Sequence, residues 1–392
     1  MSKKRIVLKI FVAALLIYSC WLGGQALRFK TYRSTPGPAV SPAEPAREAE
    51  GVYHIHTRYS DGRKTAGQVA RIAAEAGLDF IILTDHGKPN SASLASQGWK
   101  DGLLVLAGSE LSVSRGHLIG LEFDEPSRAF SQNAELAAQE INALGGFSIV
   151  GHPYSKTRWS WGTSAPFSGI EIIDADTLIQ KNVLRFALYL PALLVQPKLT
   201  LLRLIDPPGQ TLRKWEELNS RNNAPGRSRV YAYYSADVHF LYRAVLPVFH
   251  LHVLLEKPLS REFEAARHQV FDGLRSGRFF NAVDAAAKAE GFNFWAEQDG
   301  KIFPMGSELG LTEGPVHLCV RTPFSFAHET RLVSNGQILK RSDEREMVFE
   351  AKEAGMYRAE VYLREKTPLQ AAVPWILSNP VFLRIPERKD IR

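Results

Sequence analysis

The stretch GVYHIHTRYSDG, residues 51–62, places His54 and His56 two residues apart on a short predicted strand, with a carboxylate five residues after the second histidine. Side chains at i and i+2 of a strand point to the same side, so both imidazoles can reach one metal ion. The same spacing recurs at His250 and His252, where no convergent partners are evident. We therefore predict a metal site at the first pair and interpret the second pair as ordinary strand histidines.

Apolar, strand-like runs alternate with helical patterns from Gly51 to about Glu290. Six of these runs are nearly continuous, as expected of strands buried on both faces; they lie at 79–87, 103–110, 116–123, 147–153, 169–176 and 229–239. Between them, one helical pattern begins at Thr65 as a predicted N-cap and closes around Gly77, and another, NAELAAQEINALGG, ends in a glycine pair. The alternation predicts an α/β protein, either a barrel or an open parallel sheet.

Polar residues fall at the ends of nearly all the predicted strands. The residues are His54, His56, Asp85, His86, Glu110, His152, Asp237 and His239. In a barrel the carboxyl ends of the strands meet at one face, where active sites are built. We therefore expect side chains that lie far apart in the chain to converge at that face.

The motifs HIHTRYSDG, TDHG, GSE, RGHLIG, GHP and SADVH together resemble the PHP (polymerase and histidinol phosphatase) family of metal-dependent phosphoesterases. The resemblance covers about residues 51–290, and the motifs occur in the family's order. It implies a distorted (β/α)7 TIM-like barrel that holds two or three divalent ions, with Mn, Zn and Fe as the candidates.

The resemblance also implies a role for each matching residue. A first ion would be held by His54, His56, Glu110 and Asp237. Glu110 would bridge to a second ion, held also by His117 and His152. A third ion would be held by Asp61, His86 and His239, with Asp61 standing where some members have histidine. The catalytic residues would be Glu110, His152 and Asp237, and Asp85 would orient a ligand histidine.

These residue types favour hydrolysis whatever the family. Imidazole and carboxylate suit Zn, Mn or Fe(II), and no cysteine lies near the motifs. A di- or trinuclear site of this kind can supply a bridging hydroxide, and we expect it to hydrolyse a phosphoester of a small anionic substrate. The alternative is a metallohydrolase of the same fold that cleaves a carboxyl ester, amide or carbamate. A non-enzymatic binding protein is a third interpretation.

Several polar residues near the motifs allow two interpretations of their role. Asp174 is either an acid for the leaving group or a carboxylate at the barrel rim, and we favour the rim. Four basic residues could clamp a phosphate or be solvated loop charges: Lys88, Arg115, Lys156 and Arg158.

Composition narrows the function less than the motifs do. The chain has 392 residues, which favours two domains, and a net charge of +7 that suits nucleic acid, a membrane surface or an anionic substrate equally. Cys20 and Cys319 are too few for a disulfide framework. We expect no nucleic acid partner, because no polymerase-sized remainder exists, and we predict no protein partner.

The N-terminus predicts a membrane connection. Residues 1–28 contain a basic start and an uncharged run that is just long enough to span a bilayer. We favour an uncleaved anchor over a signal peptide, because no clean cleavage site follows; a lipobox ending at Cys20 is a weaker match. The basic start predicts a cytoplasmic amino end and a catalytic domain outside the cytoplasm, periplasmic or extracellular, and secreted if the leader is cleaved.

The remaining segments complete the predicted organisation. Residues 29–50 form a Pro/Ala-rich linker, 51–293 the barrel, and 294–392 a small antiparallel β-sandwich in which His317 and His328 are interpreted as surface residues. The insertion at 181–215 mixes leucines with basic residues and several prolines. We expect helices packed on the outside of the barrel there, in preference to an amphipathic membrane element or a lid.

Overall fold

The computed structural model describes residues 3–33, 47–124, 126–156, 159–160, 162–221, 229–311, 314–323 and 327–385. Arg158 and most of the predicted linker lie outside these ranges. The helices in the described ranges are α1 (Lys3–Arg28), α2 (Ala66–Glu75), α3 (Ser91–Leu94), α4 (Ala134–Ala143), α5 (Ala175–Lys181), α6 (Val183–Val195), α7 (Pro197–Leu202), α8 (Gly209–Arg221), α9 (Tyr242–Val245) and α10 (Phe263–Arg275).

The strands in the same ranges fall into two groups along the chain. The first ten are β1 (Arg47–Ile55), β2 (Phe80–Leu83), β3 (Gly98–Lys100), β4 (Leu103–Val113), β5 (Gly116–Leu121), β6 (Phe147–Gly151), β7 (Gly169–Asp174), β8 (Tyr231–Ser235), β9 (Phe249–Leu255) and β10 (Phe279–Val283). The others are β11 (Asn293–Gln298), β12 (Lys301–Pro304), β13 (Glu308–Gly310), β14 (Val316–Arg321), β15 (His328–Ser334), β16 (Gln337–Ser342), β17 (Glu346–Ala351), β18 (Gly355–Leu363), β19 (Ile376–Ser378) and β20 (Val381–Arg384).

A large, mostly parallel sheet organises the first half of the chain. Its strands lie side by side in the order β1-β2-β4-β5-β6-β7-β8. Neighbouring strands are parallel except where β5 pairs with β4 and with β6. The sheet then curls back on itself. Ala236 N donates to Tyr53 O at 3.1 Å, and Val238 N donates to His54 O at 3.2 Å, so the chain leaving β8 lies beside β1. The α/β class is confirmed; the seven-stranded barrel stays a prediction that these contacts favour.

The helices that pack against this sheet begin where the sequence predicted. Thr65 caps α2: its side chain accepts from Gln68 N at 3.3 Å, and its own N–H donates to Gln68 Oε1 at 3.1 Å. This reciprocal capping satisfies two backbone N–H groups that a helix end otherwise leaves unpaired. Asn133 caps α4 through Glu135 N and Leu136 N. Each helix buries an apolar face and thereby fixes the sheet beneath it.

The C-terminal strands are not separated from the first sheet. β10 pairs with β19, and β13, β15, β16, β18 and β20 extend that sheet, while β12-β11-β14-β17 form a second, antiparallel one. One pair, β13 with β20, is parallel. The predicted sandwich therefore stays a prediction, and hydrogen bonds cross its expected boundary at 293/294. His328 is buried and lies 3.0 Å from Thr322 Oγ1, so its surface assignment was wrong; His317 is half-buried.

The segment after α1 joins the fold earlier than predicted. β1 begins at Arg47, inside the expected linker, because Arg47 to Glu50 pair with β9. At the start of the same predicted linker, Tyr32 N donates to Ala286 O at 3.1 Å, and Lys288 N donates to Tyr32 O at 2.9 Å. α1 itself is long and apolar enough to cross a membrane, a property that signal sequences share.

The 181–215 insertion forms helices that differ in how much of their apolar surface is buried. α7 buries Leu201 and Leu202, whereas α6 leaves Leu184 84% and Leu194 90% exposed. Phe186 and Leu193 of α6 pack against the main core, and α6 also contacts α1, where Tyr18 OH donates to Leu188 O at 3.1 Å. The expectation of packed outer helices therefore holds for α7 and only in part for α6.

Candidate metal centre

The structure brings the predicted ligands to one end of the sheet. His54 lies near the end of β1, and the segments after β1, β2, β6 and β8 carry His56, His86, His152 and Asp237. Glu110 lies within β4. His117 is the second residue of β5, and because β5 runs antiparallel to β4, it lies opposite Ser112 at the same end of the sheet. Asp61 and His239 complete the set from loops.

The first group consists of His54, His56, Glu110 and Asp237, whose donor atoms lie within 4.8 Å of one another. Nε2 of His54 and Nε2 of His56 are 3.3 and 3.1 Å from Glu110 Oε2. Both nitrogens are 3.4 Å from Asp237 Oδ1. Two imidazoles and two carboxylates thus face a common point, as a Zn, Mn or Fe site requires.

The second group uses the other oxygen of the same carboxylate. Glu110 Oε1 contacts His117 Nδ1 at 2.5 Å and His152 Nε2 at 2.9 Å. The two imidazole nitrogens lie 3.2 Å apart. Because one oxygen of Glu110 faces each group, this carboxylate has the geometry of a bridge between two ions.

The third group is the most exposed. His239 Nε2 and His86 Nε2 lie 3.3 and 3.7 Å from Asp61 Oδ2. His56 adjoins this group through Nδ1, 3.4 Å from Asp61 Oδ1, but a neutral imidazole has one lone pair and its Nε2 already faces the first group. A Cβ at Gly62 would lie 2.4 Å from the backbone oxygen of His56, so the loop that carries Asp61 requires glycine there.

Buried polar atoms without hydrogen-bond partners support metal binding. Within the described residues, His54 Nε2, His56 Nε2, His86 Nδ1 and Asp237 Oδ1 are buried and make no hydrogen bond. Leaving such atoms unpaired costs about 1–3 kcal/mol each. All four face the convergent groups, so divalent ions would satisfy them together; that they bind ions stays a prediction.

The electrostatics of the site also favour a cation. Burial alone would raise the pKa of Glu110, but the attraction of His54 and the hydrogen bonds from His117 and His152 hold it well below its usual value. Burial opposes protonation of His152, yet contact with Glu110 and the charge of Asp237 raise its pKa to about 10. The carboxylates therefore stay ionised and draw positive charge into the cluster.

Three of the predicted ligands have strained backbones. His54, His152 and Asp237 have φ values of 66°, 22° and 40°, in the left-handed region that non-glycine residues seldom adopt. At His54 the register between β1 and β2 also shifts, so this residue sits in an irregularity and not on a regular strand. Such strain costs about 1–3 kcal/mol per residue and clusters at functional sites. Here it turns three side chains toward the cluster.

Glu171, which the sequence analysis missed, orients the first group. It is buried in β7, and its Oε1 lies 2.6 Å from His54 Nδ1 and accepts from Tyr53 OH. Its Oε2 accepts from His152 N at 2.6 Å. A carboxylate on Nδ1 fixes the ring so that Nε2 faces the cluster, which is the usual outer partner of a ligand histidine. The available signal was a lone charge within the apolar run GIEII.

Asp85 bonds directly to the loop after β1 and only indirectly to a ligand histidine. It accepts from Thr57 N at 2.6 Å and from Ser60 Oγ at 2.7 Å. Ser60 Oγ in turn lies 3.4 Å from His56 Nδ1. The predicted contact with a ligand histidine is therefore indirect and passes through Ser60.

Asp174 and the basic residues lie around the cluster. The Asp174 carboxylate accepts from Thr177 N at 2.6 Å and thus caps α5. Burial, together with the charge of Asp237, raises its pKa to about 7. It also borders a cavity of about 130 Å³ lined by Glu171 and Lys181. Of the basic residues, Lys156 and Arg115 are exposed, Lys88 is half-buried, and Arg158 lies outside the described residues.

The second histidine pair is not an ordinary one. His250 and His252 are both buried and form a fourth convergent group with Glu50 and Asp284. The interpretation of this pair as lacking partners was wrong, because the acidic residues come from β1 and from the chain after β10.

Comparisons with known proteins give limited help. No family model matches the chain, and no curated protein matches it. Among solved structures, a two-domain protein containing a predicted PHP-like metal-dependent phosphoesterase from Bacteroides vulgatus is similar over 90% of this chain and 98% of its own, at 13% identity and a TM-score of 0.40. An amidohydrolase from Chromobacterium violaceum, with bound sulfate and no metal, is similar over 55% of this chain and 96% of its own, at 18% identity and a TM-score of 0.33.

A third similar structure is a candidate metal-dependent phosphoesterase from Bifidobacterium adolescentis, at 12% identity over 48% of this chain and 87% of its own, with a TM-score of 0.29. These scores are too low to carry a functional argument. The geometry of the site itself is therefore the basis for inferring a function.

Proposed function

We propose that the chain is a membrane-tethered, metal-dependent phosphoesterase whose site holds two or three divalent ions. The observation that carries the proposal is the position of Glu110, which presents one oxygen to His54 and His56 and the other to His117 and His152. A shared carboxylate between two nitrogen-rich groups is the arrangement that two-metal hydrolases use.

The residues suit the ions in number and in type. The first ion would take His54, His56, Glu110 and Asp237; the second Glu110, His117 and His152; the third Asp61, His86 and His239. When bound, divalent cations supply Lewis-acid activation of water and of a phosphoryl oxygen. The second and third groups each have three protein ligands, which leaves room for substrate, as in catalytic sites.

The chain's own residues add positioning and a proton. Glu171 holds His54 in the orientation that turns Nε2 to the cluster. In the metal-free protein, burial and the charge of Asp237 raise the pKa of the Asp174 carboxyl group to about 7. Asp174 borders the cavity next to Glu171, so its protonated form is placed to donate a proton to a departing alkoxide.

The membrane connection rests on α1 and α6 together. The apolar window of α1 is only 6% buried within the protein, and the leucines of α6 beside it are exposed. Water-exposed leucines on this scale are unfavourable, at roughly 25 cal/mol per Å² of apolar surface. We infer that α1 is a retained anchor and that α6 lies against the bilayer beside it, with the hydrolase outside the cytoplasm.

The test compares two substrate classes on the full chain in detergent, loaded with Mn or Zn. We expect phosphate release from a panel of phosphomonoesters and little turnover of p-nitrophenyl acetate. Glu110→Gln should abolish the release, whereas Glu140→Gln, a matched change on α4, should not. Turnover of the acetate ester without phosphate release would replace this proposal with the carboxyl ester, amide or carbamate hydrolase.

A further inference from the structure

A second cluster of metal-ligand residues lies away from the candidate metal centre. Glu50 is opposite His252 in the pairing of β1 with β9, and His250 is opposite Ala282 in the pairing of β9 with β10. Asp284 follows β10 directly. Because Glu50 precedes His54 by four residues on β1, the two clusters are about 13 Å apart along the strand.

The hydrogen bonds around both rings leave a lone pair directed into this cluster. His250 Nε2 lies 2.8 Å from Leu246 O, which can only accept, so the proton of a neutral ring is on Nε2. His252 Nδ1 lies 3.0 Å from a Glu48 oxygen, which places its proton on Nδ1. These contacts are the outer partners that metal-binding histidines typically have.

The atoms left facing inward repel one another unless a cation joins them. His250 Nδ1 is 3.1 Å from Asp284 Oδ2, and it also contacts Glu50 Oε1. His252 Nε2 is 3.2 Å from the same Asp284 oxygen, is buried, and has no hydrogen-bond partner within the described residues. Two nitrogen lone pairs thus face carboxylate oxygens at close range.

The spacing and enclosure fit a four-coordinate ion. Ligands at about 2.0 Å from a tetrahedral Zn²⁺ are separated by about 3.3 Å, close to the nitrogen–oxygen distances here. His250 and His252 are each 1% exposed and Asp284 is 1% exposed. A closed site with four protein ligands and no open position is typical of a structural ion and not of a catalytic one.

The charges around the cluster also balance with a divalent ion. Three carboxylates, those of Glu48, Glu50 and Asp284, contact the two rings. Lys288 Nζ contacts Glu50 Oε1 and lies 3.1 Å from Asp284 Oδ2, so one negative charge is compensated. Two negative charges remain, and one divalent cation or two imidazolium ions would neutralise them.

We propose that Glu50, His250, His252 and Asp284 form a structural site for a divalent transition-metal ion of the Zn²⁺ type, separate from the candidate metal centre. The ion would join β1, β9 and the end of β10. Lys288, four residues beyond Asp284, is bonded through its N–H to Tyr32 O in the segment after α1. A bound ion would therefore stabilise the sheet where the segment after α1 is hydrogen-bonded to it.

The test measures zinc content by elemental analysis of the full chain in detergent. We expect His252→Gln to contain one equivalent less than the wild type, and His268→Gln, a change at an exposed histidine, to contain the same amount. The loss of one equivalent on His252→Gln should recur when both proteins also carry Glu110→Gln, because the site does not depend on the candidate metal centre. This readout is independent of hydrolase activity.

A second variant covers the case in which His252→Gln fails to fold. Lys288 is 28% exposed, and Lys288→Met removes a competing positive charge, so zinc should bind several-fold more tightly and raise the thermal midpoint further than in the wild type. Equal zinc content in wild type and His252→Gln would overturn the proposal. So would a Lys288→Met variant destabilised equally with and without zinc, since an ion-pair network with protonated histidines predicts that result.

Discussion

At the scale of single residues, Glu171 is the most informative side chain of the candidate metal centre, because its two oxygens serve different ligand segments. One oxygen holds the ring of His54, and the other holds the backbone N–H of His152. Both residues have left-handed backbones, which need surrounding contacts to persist. Glu171 therefore stabilises two strained ligand positions without facing the ions itself.

We predict that Glu171→Gln weakens metal binding while leaving the fold intact. Glutamine keeps the size of the side chain but removes the charge that polarises His54, and loss of such an outer partner typically costs about 10–100-fold in metal affinity. Metal affinity would be measured by competition with a chelator, and folding by circular dichroism. Glu140→Gln is the matched control, and an unchanged affinity in Glu171→Gln would refute the orienting role.

At the scale of elements, the N-cap residue of α5, Asp174, also lies buried near Asp237 of the candidate metal centre. Asp174 caps the helix through Thr177 N, and its side chain is buried beside Asp237. A capping carboxylate that is also held near other carboxylates is favoured in its neutral form, because burial and like charge both oppose ionisation. The start of α5 should therefore respond to pH.

We predict that Asp174→Asn stabilises the metal-free protein as the pH rises. The folded pKa of about 7 exceeds the unfolded value near 4, so the stability that comes with the neutral acid is complete below about pH 4 and is lost as the pH rises through about 7. Asparagine retains the cap and does not ionise, so its advantage over the wild type should grow across this interval, by on the order of 2–4 kcal/mol. Urea unfolding at several pH values measures it.

The control for that experiment is Asp124→Asn, the same change at an exposed carboxylate. Parallel unfolding curves for Asp174→Asn and the wild type between pH 4 and pH 8 would contradict the buried, near-neutral acid. The experiment uses chelator-treated protein, because bound cations would lower the pKa of Asp174 by attraction.

The strand ends explain why so much of the site could be predicted from sequence. His86, His152 and Asp237 each lie within three residues of the end of a strand, and parallel strands bring their carboxyl ends together. Glu171 was not predicted because it lies inside an apolar run, where its apolar neighbours give no indication of a functional charge. The acidic partners of His250 were not predicted for another reason. Glu50 and Asp284 come close to it because distant strands pair antiparallel, and local sequence patterns do not encode such pairing.

At the scale of the whole molecule, the C-terminal strands are tied to the metal-binding half. Trp375, fully buried, donates from Nε1 to Ala287 O at 2.7 Å, and Val283 N donates to Trp375 O at 2.9 Å. The change of sequence character near residue 294 indicated a new domain, but composition cannot reveal a sheet that continues across it. The segment after α1 contacts the same region through Tyr32, so α1, the large sheet and the C-terminal strands meet at one place.

The proposed orientation of this assembly on a bilayer can be tested at α6. Leu194 is 90% exposed on the helix that contacts the later half of α1, whereas Lys352 is 77% exposed in the C-terminal region. In vesicles, we predict that a thiol introduced by Leu194→Cys reacts with a water-soluble maleimide several-fold more slowly than one introduced by Lys352→Cys, because lipid covers the first position. Both variants would carry Cys20→Ser to remove the exposed native thiol. Equal rates in vesicles would mean that α6 faces water, and its leucines would then require a protein partner instead of lipid.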